Sequence, residues 1–211
     1  FVIGRYCGVD STTAVSNGAQ IMHMFIVIII GLSMGTTVRL ARAVGAGDSE
    51  NASKTIGNTF TLFALAAIAA TFILLLSNRS IVNLIDTPIE AINGTVDYLR
   101  ICFIGIPFII AYNIIASIFR GLGDSKSPMY FVIVACVANI ALDFIFIGHF
   151  GLGPVGAALG TTLSQAISVA MAALVIRRKS LLKMSRRDLR PERRTMGGIL
   201  KIGVPLALQD G

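Results

Sequence analysis

The chain has 211 residues, 55% of them hydrophobic and only 14% charged, with a mean hydropathy of +0.79 and a formal net charge of +7. Ordinary soluble domains carry roughly 25% charged residues, so too few are present to clothe a water-facing surface. The positive charge does not point to nucleic acid either, because ten of the eighteen Lys and Arg crowd between Arg177 and Lys201 behind an apolar run instead of lining an aromatic groove.

In chain order the sequence reads as membrane helices. Residues 1–8 look like the tail of a first helix, since the chain starts at Phe1 inside an apolar stretch. A second helix is expected from about Ser16 to Ala41 and a third from about Ile56 to Leu76. A fourth follows from about Thr95 to Phe119, a fifth from Pro128 to Ile147 and a sixth from Val155 to Ile176. A seventh opens near Met196 and is still apolar at Leu208. The uncharged runs beneath these helices include Ser11 to Val38, Thr55 to Asn78 and Ser127 to Leu142. They suit a bilayer core that needs ~20 apolar residues per helix. The N-terminus shows no basic n-region or cleavage site of a signal peptide, and the whole reads as a piece of a larger membrane protein.

Local chemistry marks the boundaries. Ser127-Pro128 suggests an N-cap followed by Pro at the first helical position. Thr87-Pro88-Ile89-Glu90 suggests a capping box opening a short external helix ahead of helix four. Gly45-Ala46-Gly47-Asp48 and Gly121-Leu122-Gly123-Asp124 read as two similar tight turns. Pro107 should bend helix four, because it deletes a backbone hydrogen bond. Gly31 with Gly35, and Gly156 with Gly160, have the small-xxx-small spacing of close helix contacts.

Loop charges predict orientation. Arg39, Arg42 and Lys54 flank the turn after helix two, and Arg120 and Lys126 the turn after helix four. The ten further cations follow helix six, whereas the opposite loops hold only Arg5, Arg79 and Arg100. The positive-inside rule then puts loops 2–3, 4–5 and 6–7 in the cytoplasm of a multi-pass protein of the plasma or inner membrane.

Within this apolar frame Asp143 is the single formal charge between Ser127 and Ile176. A carboxylate at membrane depth costs about 2.5–3.5 kcal/mol on insertion scales, so an intramembrane carboxylate is a functional-site hypothesis by default. Asn139 shares its helix face at i, i+4, and a short 5–6 loop should bring Thr161 opposite. Three hard oxygens suit Na⁺; alternatively, burial penalises the charged form and makes Asp143 a proton carrier. A purely structural Asp holding two helices together is the bland alternative.

Several stretches now carry a resemblance. Ile118–Pro128, Val137–Asp143 and Gly151–Thr161, with Arg42–Asp48 and Lys201–Pro205, are together similar to the multidrug and toxic compound extrusion (MATE) transporters. The resemblance implies an all-α bundle, the N-lobe of a twelve-helix antiporter. Residues 1–176 would form that lobe, 177–195 a basic cytoplasmic inter-lobe loop, and 196–211 the start of helix seven in the missing C-lobe. Members expel amphipathic, often cationic compounds in exchange for H⁺ or Na⁺, with no further cofactor. The cation ligands of members with an N-lobe site match Asn139, Asp143 and Thr161 in identity and spacing; a helix-one Asp has no counterpart here.

Secondary features are weighed beside that set. Asn113 and Ser117, one turn apart on helix four, are substrate-pocket candidates. His23 reads as a hydrogen-bonded packing residue and His149 as an interfacial one. Met22, Met24 and Met34 suit either an adaptable pocket wall or a lipid face. Cys7, Cys102 and Cys136 lack metal or disulfide spacing and read as small packing residues. Residues Ser180 to Arg194 read as a solvated linker, with an amphipathic surface helix as the alternative. A lipid-linked oligosaccharide flippase is the runner-up, disfavoured because no Lys or Arg lies in a membrane interior. An intramembrane enzyme is a distant third, since neither HExxH nor a nucleophile elbow occurs.

Overall fold

The computed structural model of the chain describes residues 2–84, 87–179 and 190–210. A short helix α1 (Val2–Tyr6) leads into α2 (Val9–Gly45), α3 (Ser49–Leu84) and α4 (Ile89–Gly121). Helix α5 (Lys126–Asp143) runs on as a π-helical turn, Phe144–His149, before α6 (Gly153–Lys179) and α7 (Arg193–Asp210). The described residues contain no strand. Among the described residues five helices are long and apolar enough to cross a membrane, from Val9–Gly45 to Gly153–Arg177, as the sequence leads one to expect.

Helix α4 is the axis of the bundle. In its most apolar eighteen-residue window 67% of residues are buried, against 17–33% in the other four spanning helices, so only α4 is wrapped by protein. It packs chiefly on α2, α3 and α6. Phe103 of α4 meets Phe25 of α2 edge to face, and Phe119 meets Phe131 of α5 likewise. The outer helices turn apolar stripes outward; Leu65, Ile68, Phe72 and Leu76 of α3 are all exposed at helical spacing. Water would penalise such a surface, whereas lipid accepts it.

Interhelical hydrogen bonds supplement this packing, as expected where lipid competes poorly for polar groups. Thr36 and Thr59 join α2 to α3 at 3.1 Å, and the Thr37 hydroxyl donates to the Ser117 carbonyl of α4. Asn78 donates to the Val96 carbonyl, and Ser168 of α6 to the Phe131 carbonyl of α5. Helix α7 lies along α2. A Cβ on Gly31 or Gly35 would overlap the α7 backbone at Ala207 or Ile199, so this small-residue pair marks a close crossing between these two helices.

The two Gly-Asp turns have one geometry. Asp48 N–H bonds the Ala43 carbonyl and Gly47 N–H the Val44 carbonyl, while Asp124 and Gly123 repeat the pair on Phe119 and Arg120. This double bond around a left-handed glycine is the Schellman stop; φ is +70° at Gly47 and +85° at Gly123. Each aspartate then caps the next helix, accepting the backbone N–H of Asn51 or of Ser127 at 3.0 Å. Those hydrogen bonds hold the Asp48 carboxyl below its ordinary value.

Four expectations are corrected. The spanning helices run beyond the apolar windows, because flanking polar residues keep helical geometry past the hydrocarbon limit. No separate helix precedes helix four: α4 is continuous from Ile89, and Thr87 donates back to the Val82 carbonyl instead of capping forward. The start of α5 is capped by Asp124, with Ser127 inside the first turn and its hydroxyl on that same carboxylate. Helix α7 begins at Arg193 and not Met196, because the Asn58 side chain of α3 accepts the Glu192 backbone N–H at 2.7 Å and fixes the first turn. Most of the basic linker expected over 177–195, residues 180–189, lies outside the described residues.

Candidate functional site

Helices α5 and α6 are joined by Phe150, Gly151 and Leu152 alone, with positive φ at Gly151 and Gly153 turning the chain back. They therefore pack antiparallel, and Asp143 faces α6 where Gly160 removes the side chain. The fit is tight: a Cβ on Gly160 would overlap Asp143 Oδ1 and lie 3.6 Å from Asn139 Nδ2. The α-helical hydrogen bonding of α5 gives way to a π turn immediately after Asp143, a break that is frequent at functional sites.

Thr161, next to Gly160, donates its hydroxyl to the Ala157 carbonyl at 3.0 Å. Its oxygen keeps acceptor capacity. Asn139 and Thr161 share the wall of a cavity of about 200 Å³ between α4, α5 and α6, with Tyr112, Cys136, Ser164 and Gln165. Asp143 and Asn139 thus lie against Gly160, and Thr161 follows it on α6; Asn139 and Thr161 line the cavity, whereas Asp143 is not among its lining residues.

Two acceptors here are orphaned. Asp143 Oδ1 and Gln165 Oε1 are both buried with no hydrogen-bond partner. Buried polar groups are almost always satisfied, and leaving one unmade costs about 1–3 kcal/mol. An unpartnered acceptor such as Asp143 Oδ1 calls for a donor or a cation. Among the described residues no three His, Cys, Asp or Glu side chains cluster as for a transition metal; one carboxylate with neutral oxygens suits a proton or a hard monovalent ion.

Tyr98 of α4 completes the neighbourhood and escapes the sequence reading. It is 5% exposed, and its hydroxyl lies beside Thr161 and the Cys102 thiol and within electrostatic reach of Asp143. The missed signal is the i, i+4 pair Tyr98–Cys102, which puts a phenol and a thiol on one face of α4. Tyr112 and Gln165 escaped for the same reason, being neutral residues inside apolar runs.

Other candidates move. Asn113 is buried and donates to the Ile109 carbonyl, while the Ser117 hydroxyl accepts from the Arg120 guanidinium. Both are packed and satisfied, and neither lines the α4–α5–α6 cavity; their neighbour Tyr112 does. His23 is exposed on α2, not packed, and Met24 lines a groove between α2 and α3 with Asn17 and Gln20, whereas Met22 is core. His149 sits exposed against Phe150 at the end of the π turn. All three cysteines are free; Cys102 is buried, but Cys136 is exposed and lines the cavity.

Known proteins share the sequence and fold of the chain. Residues 1–145 match the MatE family. The chain is 31% identical, over 98% of its length, to a probable multidrug resistance protein of Bacillus subtilis, YoeA, of which it covers 46%. It is 24% identical over 96% of its length to a FAD transporter of Shewanella oneidensis, covering 46% of that protein. A solved inward-facing MATE multidrug resistance transporter of the MOP superfamily superposes with a TM-score of 0.92 at 28% identity, over 99% of this chain and 48% of that one. The chain spans about half the length of these relatives, which are transporters and not enzymes.

Proposed function

The chain belongs to the MatE family, and from that premise we propose that it forms the N-lobe of a multidrug efflux antiporter whose coupling cation, H⁺ or Na⁺, is taken at Asp143. The observation that carries this reading is the unpartnered Asp143 Oδ1, buried against Gly160 beside Asn139 and Thr161. An empty, ionised carboxylate there has no neutralising partner among the described residues. A proton or Na⁺ supplies one, so the loaded and empty lobes prefer different packings of α5 on α6, and a ligand with differential affinity shifts that population.

Substrate would enter beside the cation. The cavity wall of Tyr112, Cys136 and Gln165 is neutral, part aromatic and part polar, which suits amphipathic compounds with donor or cationic groups. A flippase for pyrophosphate-linked oligosaccharide would need cations there, and the wall has none. The second lobe of the same protein would close the cavity from the other side. Loops 2–3, 4–5 and 6–7 face the cytoplasm in this reading, following the distribution of Lys and Arg.

The test is ethidium efflux by the full-length protein in proteoliposomes, driven by a pH or a Na⁺ gradient. Asp143→Asn should abolish the gradient-driven component while leaving substrate binding measurable. Unchanged, gradient-dependent efflux by that variant would remove Asp143 from coupling.

A further inference from the structure

A second cavity, of about 660 Å³, opens at the end of the bundle away from Asp143, where α2 finishes and α3 and α7 begin. Four cationic side chains converge on it from three helices: Arg39 and Arg42 of α2, Lys54 of α3 and Arg194 of α7. Its two carboxylates are engaged in capping. Asp48 accepts the Asn51 backbone N–H and side-chain amide, and Glu192 accepts the Thr195 hydroxyl at 2.7 Å. Lys54 pairs with Glu50 at 2.7 Å. Arg39, Arg42 and Arg194 have no carboxylate within ion-pair distance among the described residues.

Arg39 is held in place despite this. Its Nε is buried without a hydrogen-bond partner, and its guanidinium lies against Gly198 of α7 so closely that a Cβ there would overlap it. Charge bias between membrane faces explains why basic residues favour one end of a helix. It does not explain why four cations from three helices, against only the two carboxylates Asp48 and Glu192, line one hollow, where the excess positive charge repels itself. An anion between them relieves that repulsion. Guanidinium forks match phosphate oxygens two at a time. The 37 residues of α2 rise about 55 Å at 1.5 Å each, well beyond a hydrocarbon core of about 30 Å. A helix of that length reaches past the hydrocarbon, and the basic end of α2 is the end that suits the headgroups.

We propose that this cavity binds a phosphate-bearing anion, either the headgroup of an anionic phospholipid or a soluble phosphate, and that the bound phosphate clamps the start of α7 onto α2 and α3. The clamp goes beyond the transport reading and does not depend on Asp143.

The experiment takes the full-length protein in nanodiscs of equimolar phosphatidylglycerol and phosphatidylcholine, and measures retained phosphatidylglycerol by native mass spectrometry. Arg39→Gln, and separately the exposed pair Arg42→Gln with Arg194→Gln, should each lower retention, by about fivefold per charge removed. Arg177→Gln, exposed at the end of α6 and outside the cavity, should leave it unchanged. In a second arm the same proteins in phosphatidylcholine alone are titrated with inorganic phosphate while thermal unfolding is followed. Saturable stabilisation of the parent but not of the cavity variants, without a difference in lipid retention, assigns the site to a soluble phosphate. Equal behaviour of parent and cavity variants in both arms, or an equal loss with Arg177→Gln, overturns the proposal.

Discussion

Asp143 of α5 and Gly160 of α6 touch so closely that the glycine's missing Cβ is the space the carboxylate occupies. The expected consequence is that Gly160→Ala acts as a lesion of Asp143 without altering its chemistry. An added methyl in a filled seam costs about 1–3 kcal/mol, and it must push the carboxylate away from Asn139 or part the helices. Gradient-driven efflux by the full-length protein should fall by at least about tenfold, equivalent to 1.4 kcal/mol, alongside a lower unfolding temperature. Full efflux by Gly160→Ala would show that the close fit has no part in coupling.

The α2–α7 crossing gives a second prediction. At Gly31 and Gly35 the obstructing atoms are backbone atoms of Ala207 and Ile199, which cannot swing aside as a flexible side chain would. Gly31→Ala and Gly35→Ala should each destabilise by about 1–3 kcal/mol. Gly45→Ala, with nothing within 4 Å of the added carbon, should be neutral or stabilise by up to about 1 kcal/mol. Thermal unfolding in detergent separates the two groups, and equal shifts at all three positions would contradict the crossing.

What the sequence reveals here follows from which forces act locally. Long uncharged runs define the spanning helices, because exclusion of backbone polar groups from lipid leaves the chain no alternative to helix. The placement of Asp143 with Asn139 against α6 is legible because one charge in an apolar run stands out and a period of 3.6 puts Asn139 on the same face. Tyr98, Tyr112 and Gln165 are not legible, since neutral side chains within an apolar run look like packing until α4 is seen against α6. Asn113 and Ser117 are one turn apart as the sequence shows, but that their polar groups meet the Ile109 carbonyl and the Arg120 guanidinium within their own helix is visible only in the structure. The true start of α7 is likewise invisible from local sequence, because its anchor, Asn58, is 134 residues away from Glu192.

Tyr98 allows the proposed cation site to be probed without touching a charge. Its hydroxyl stands beside Thr161 and Cys102, and Tyr98→Phe removes only that oxygen from a well-packed ring. Stability should change by no more than about 0.5–1.5 kcal/mol, the net worth of one hydrogen bond. The dependence of efflux on the driving ion should shift, and Thr161→Val should shift it in the same direction. The measurement is the ion concentration giving half-maximal efflux. A change in maximal rate alone, with that midpoint fixed, would assign Tyr98 to packing.

The paired turns at Gly47 and Gly123 carry the last prediction. Both glycines adopt positive φ with no atom within 4 Å of a built Cβ, so a substitution there meets backbone strain and no steric obstacle. Alanine should cost about 1 kcal/mol at either site, and asparagine distinctly less, because its short polar side chain tolerates the left-handed region. Since the two turns share no hydrogen-bond partner, Gly47→Ala and Gly123→Ala should add in the double variant to within about 0.5 kcal/mol. Unfolding temperatures of the two singles and the double check this. A double loss much larger than the sum would mean that the α2–α3 and α4–α5 hairpins fold as one unit, coupled through the contact of Leu40 with Gly121.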